Sequence, residues 1–176
     1  MSEFAEGAPE IALNDQSLAH LGRAALYEGF AKTALTLCLK ALKGLNHEQW
    51  VRLERMHFKD IVKAIDQELV RFPLLRPYFE GIKENHERWR ERRNFSIHAS
   101  WGTDTRGKPV ANCYRRKTLG DENDVVGAAN DCFWLAKEAR TFQYQIALLI
   151  ADGSLTGGGA KGPGGKMRTP TGTVSF

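Results

Sequence analysis

Arg92-Arg93-Asn94-Phe95-Ser96-Ile97-His98 sets arginines, a carboxamide and an imidazole within one short stretch of the 176-residue chain. Arginine neutralises a phosphate through a planar fork of donors, and histidine moves protons near neutral pH. Together they hold the parts needed to cleave a phosphodiester without a metal. His98 would act as general base or acid, Arg93 would stabilise charge on the phosphoryl oxygens, and Asn94 would orient His98 or a phosphate oxygen. The spacing is cheap by itself. With 14 Arg and 5 His in the chain, composition alone gives about 0.4 Arg-to-His pairs at this offset. Arg52 and His57 form a second pair with nothing else beside them. Only the surroundings can raise the motif above chance.

The surroundings are basic. Between Glu84 and Lys117 lie Arg88, Arg90, Arg92, Arg93, Arg106, Lys108, Arg115, Arg116 and Lys117, against Glu84, Glu87, Glu91 and Asp104. The nine positive and four negative charges leave this window at +5, while the whole chain is only +4. Arg90, Arg92, Arg106, Arg115 and Arg116 are therefore candidate RNA phosphate-binding residues, which add affinity without reading bases. A plainer reading makes Arg88 to Arg93 a solvated, salt-bridged helix face and Arg115-Arg116-Lys117 a solvated loop. Under it, His98 is a helix-end histidine favoured by the dipole, and Trp89 and Trp101 are core or interface aromatics.

Positioning falls to helices. Asn14 or Asp15 caps a run over residues 16 to 43, with Leu18, Leu21, Ala25, Phe30, Ala34, Leu35, Cys38 and Leu42 as its apolar face and Gly44 as its stop. A second helical region spans about 47 to 71 with a break near His57, and Pro73 and Pro77 then interrupt the chain. From Tyr78 the helical pattern resumes and is expected to end near Trp101-Gly102. Residues 102 to 120 read as a loop with a short extended piece around Val110 to Lys117. Asp121 or Asn123 caps a last helix carrying Val125, Val126, Ala129, Phe133, Ala136, Phe142, Ile146, Leu149 and Ile150, with Gly153 as its stop. No strand-type alternation is long enough to build a sheet.

The organisation expected is a flexible N-terminus over 1–13, a helical bundle over 14–152 and a glycine-rich, disordered tail over 153–176. Lys161 to Lys166 superficially resembles a phosphate loop but follows a helix and lacks the GxxxxGK[ST] pattern. Cys38, Cys113 and Cys132 are odd in number and widely spaced, which argues against a disulfide framework and for a cytoplasmic setting. The histidines show no metal-type spacing with acidic ligands, so no metal or other cofactor is expected. No window is apolar enough to span a membrane.

A long helix, an interrupted helix, a helix ending in Arg93-Asn94-Phe95-Ser96-Ile97-His98 and a final long helix: this order resembles the HEPN superfamily. The polar residue directly after the arginine is of the kind its members favour. Ala99-Ser100-Trp101 is similar to the small-Ser-Trp ending of many HEPN-like proteins, and His57 to Ile65 is similar to the family's second-helix segment. The resemblance covers residues 14 to 152. It implies an all-α, four-helix up-down bundle and a metal-independent endoribonuclease of toxin, defence or RNA-processing type. It also implies a homodimer whose two motifs meet across the interface, with an antitoxin-like protein partner in some systems. Other members keep the bundle and act as non-catalytic scaffolds or binding partners, which is the alternative function.

Helix geometry sharpens the expectation. Arg90, Asn94 and His98 share one stripe at four-residue steps. Arg93, five residues before His98, lies about 140° away around an ideal helix. Convergence of Arg93 and His98 then needs a bend, the reach of the arginine, or a second chain.

Overall fold

The computed structural model describes residues 13–106, 108–112 and 119–155. They are mostly helical: α1 (Asp15–Lys43), α2 (His47–Glu54), α3 (Phe58–Glu68), a 3-10 helix (Pro73–Tyr78), α4 (Glu80–His98) and α5 (Glu122–Ala151). Three short strands, β1 (Ser100–Thr103), β2 (Pro109–Asn112) and β3 (Leu119–Gly120), stand between α4 and α5. The expected tail beyond 155, the expected flexible residues up to 12, and Arg115 and Arg116 lie outside the described residues.

Local chemistry sets the helix ends. Asn14 Oδ1 accepts the Ser17 amide at 2.8 Å, capping α1. Gly44 takes a φ of 64°. Its amide donates to the Ala41 carbonyl at 3.1 Å and that of Leu45 to Lys40 at 3.0 Å, the paired bonds of a Schellman end. Asn46 and Gln49 form a reciprocal capping box at the start of α2. Asp121 caps α5, accepting the Asn123 amide at 2.8 Å while its own amide donates to Asp124 Oδ2 at 3.2 Å.

The second helical region divides where the break was expected. Arg55 to His57 separate α2 from α3, with His57 extended at φ −67° and ψ 148°. The α2 helix buries none of its residues, whereas α3 buries Phe58, Ile61, Val62 and Ile65. Pro73 opens the 3-10 helix, where its missing N–H has no helical partner to lose, and Pro77 lies inside it.

Two sequence expectations change. The third helix ends at His98, short of Trp101-Gly102, and residues 100 to 120 contain an antiparallel three-stranded sheet in the order β1-β2-β3. Its register pairs Trp101 with Ala111 and Gly102 with Val110. Strands of two to four residues are too short to show a period of two in sequence. The β1–β2 turn is built by Asp104, whose Oδ1 accepts the amides of Arg106 and Lys108 at 2.8 and 2.9 Å.

The chain gathers into two compact units, one of Met1–Tyr27 with Arg88–Phe133 and one of Glu28–Glu87 with Trp134–Phe176. In the second unit, α1 buries Ala31, Leu35, Cys38, Leu39 and Leu42. Phe30, expected on the apolar face, is 64% exposed, because it sits about 100° around the helix from Ala31. Phe79 and Phe142 meet in this unit with ring centroids 5.1 Å apart. The first unit is built from smaller residues. Ala24, Ala129 and Cys132 form a buried cluster against Tyr27, with Val125, Ala128, Trp89 and Phe95 also buried.

Candidate functional site

The motif belongs to the first unit, on the C-terminal half of α4. There Trp89, Phe95 and Ser96 are buried, while Glu91 and His98 are exposed and Asn94 is half-buried. Steps of seven and four residues put Glu91, Asn94 and His98 on one side of the helix, opposite Trp89 and Ser96, with Phe95 about 60° from His98.

Ser96 anchors this helix end. Its Oγ lies 3.0 Å from the Arg92 carbonyl and 3.2 Å from the Asp124 carbonyl near the start of α5. A buried hydroxyl without such partners would destabilise the fold by about 1–3 kcal/mol. Trp101 closes the same end from β1, its indole Nε1 donating to the Ser96 carbonyl at 3.0 Å. That carbonyl is one of the last four of α4, which have no partner inside the helix. The tie explains why the helix stops at His98: the chain must turn at Ala99 to bring Trp101 back. His98 is the last residue of α4 and is exposed.

Arg93 and Asn94 are brought together. Arg93 Nη1 donates to Asn94 Oδ1 at 2.6 Å. The long side chain of Arg93 therefore wraps from its own side of α4 toward the stripe that Asn94 and His98 share.

The other candidates part company. Arg92 turns to α5, its Nη1 donating to Asp131 Oδ2 at 3.1 Å. Its side chain crosses Gly127 so closely that a Cβ there would meet Arg92 atoms at 3.0 to 3.2 Å. Arg106 is on the β1–β2 turn, exposed, with its Nε 3.8 Å from Asp104 Oδ2. Arg90 is half-buried on α4. Arg115 and Arg116 are among the residues the structure does not describe. Among the described residues no group of three or more His, Cys, Asp or Glu is placed to hold a metal ion, and no helix is long and apolar enough to cross a membrane.

Ser96, Gly127 and Asp131 are the residues that sequence reasoning missed. A serine in an apolar-flanked turn carries little signal. Gly127 inside a helix was the available one, since a glycine there is disfavoured unless something approaches closely.

No protein-family model, no curated protein and no solved structure matches this chain.

Proposed function

We propose that this protein is a metal-independent endoribonuclease with a HEPN-like, four-helix up-down bundle, acting as a homodimer. The observation that carries the reading is the Arg93–Asn94 bond of 2.6 Å beside an exposed His98 at the end of α4. A guanidinium, a carboxamide and an accessible imidazole on one helix end are the groups that RNA transesterification uses. The 2′-hydroxyl oxygen attacks the adjacent phosphorus, its proton passes to one imidazole, and the 5′-oxygen leaves with a proton from another. The products are a 2′,3′-cyclic phosphate and a free 5′-hydroxyl.

A single histidine cannot be deprotonated base and protonated acid at once, so two His98 side chains from two copies suit the reaction better than one. Arg93 stabilises the phosphorane charge and Asn94 holds the guanidinium in place. Arg90, Arg106, Arg115 and Arg116 would track the RNA backbone. Arg92 would join them only by giving up Asp131. The setting in this reading is cytoplasmic, and the biology is of toxin, defence or RNA-processing type.

The rival reading is a non-catalytic scaffold that uses its surface to bind a partner. Val126 and Phe133, 38% and 44% exposed on α5, favour it, being seven residues apart on one helix side. One experiment separates the two. Purified protein is incubated with mixed RNA in EDTA, beside His98→Ala and Arg93→Ala. Cleavage that resists EDTA, leaves cyclic phosphate ends and drops by about 10²–10⁴-fold in His98→Ala fits the nuclease. Cleavage by His98→Ala at the wild-type rate ends it.

A further inference from the structure

A cleft of about 200 Å³ opens in the second unit, between α1 and α2, lined by Lys32, Thr33, Thr36, Trp50 and Glu54. It draws on none of Arg93, Asn94 or His98. Lys32 Nζ donates to the Glu54 carbonyl at 3.0 Å, tying α1 to the end of α2. Thr36 is buried, and its hydroxyl donates to the Lys32 carbonyl at 2.8 Å. Lys40 lies 5.1 Å over the Trp50 ring and His47 5.4 Å from it. The indole Nε1 of Trp50 is shielded from bulk water and meets no acceptor among the described residues.

A buried donor without a partner is uncommon, so its setting is informative about what the cleft takes. A hydrocarbon would leave the Trp50 N–H unmatched. A free anion gains little, because Lys32 and Glu54 cancel in formal charge and Lys32 is engaged with a carbonyl. A ligand that accepts from Trp50 and donates to Glu54, four residues on along the same face of α2, matches the lining on both counts. An aromatic wall favours a planar one. We propose that this cleft binds a small, neutral, planar molecule with a lactam edge, a carbonyl beside an N–H, as uracil presents.

The test reads the four tryptophan indole N–H signals by ¹H–¹⁵N NMR, with Trp50→Phe identifying that of Trp50. Uracil should shift the Trp50 signal saturably at millimolar concentration. 1,3-Dimethyluracil, in which both lactam N–H groups are methylated, should bind about fivefold more weakly or worse, and Glu54→Leu should weaken uracil by a similar factor, the ordinary effect of one lost hydrogen bond. Uridine and a short oligouridylate run alongside distinguish a free base from one presented in a strand. If Trp50→Phe fails to fold, the signal is assigned in the wild type by its proximity to Lys40 and His47, and Glu54→Leu carries the comparison. A Trp50 signal that uracil leaves unmoved, with cross-peaks to water alone, means a hydrated cleft and overturns the proposal. Equal affinity for 1,3-dimethyluracil and uracil overturns it as well.

Discussion

The two units differ in the size of the side chains that core them. Of the twelve largest fully buried side chains among the described residues, only Val125 belongs to the unit that carries the motif, and the other eleven, Phe79 and Phe142 among them, belong to the second. The motif unit relies on small residues, Ala24, Ala128, Ala129 and Cys132, and on side-chain hydrogen bonds between elements. Glu122 accepts from Asn14 at 2.6 Å and from the Ser17 hydroxyl at 2.9 Å. Ser96 reaches Asp124, and Arg92 reaches Asp131. An apolar core gives cohesion without direction, whereas hydrogen bonds have geometry. On the nuclease reading, the helix end that carries Arg93, Asn94 and His98 takes its direction from the Ser96 and Arg92 bonds.

Substitutions that treat the two units differently test this contrast. The largest effect is expected at Phe142→Ala, where a fully buried ring in the second unit is lost, at about 3–5 kcal/mol by denaturant unfolding. A loss below about 1 kcal/mol there would break the contrast. Next comes Cys38, also in the second unit, whose thiol is pushed up out of its usual range by burial. The folded thiol keeps its proton where the unfolded one ionises. Stability from this source is therefore whole below the unfolded pKa and is lost as pH rises above it. Between pH 7 and 10 the loss should approach about 2 kcal/mol, and the pH slope should flatten in Cys38→Ala. Ser96→Ala in the motif unit should lower stability by only about 1 kcal/mol, while lowering RNA cleavage disproportionately because the end of α4 loosens. If Ser96→Ala reduces cleavage no more than its small loss of folded protein, the polar clamp does not serve the motif.

What was legible in the sequence was local. Asn14 or Asp15, Gly44, Asp121 or Asn123, and Gly153 marked helix ends because capping is decided within a few residues, and the structure uses Asn14 and Asp121 as the caps. The break near His57 was legible for the same reason. The sheet was not, because four residues of strand such as Ser100–Thr103 show no periodicity. Arg92 looked like one more cation in a basic run. Its partner Asp131 is 39 residues away, and no local pattern pairs the two. The Arg93–Asn94 bond between neighbours was equally invisible, since spacing on an ideal helix says where side chains start and not where long ones reach. Phe30 was assigned inward because it is apolar, although it lies off the row that Ala31, Leu35, Cys38 and Leu42 define.

The end of α5 has a practical corollary. Gly153 turns the chain at a φ of 76°, and the amide of Leu155 then donates to the Leu149 carbonyl at 2.8 Å, with the Leu155 side chain 1% exposed. That leucine works as a latch two residues beyond the helix stop. A protein terminated after Gly153 should melt several degrees below one terminated after Leu155 and be nicked sooner by protease, as burial of one leucine is worth about 1.5–3 kcal/mol. The lower limit for trimming this chain is thus set by a side chain that follows the last helix.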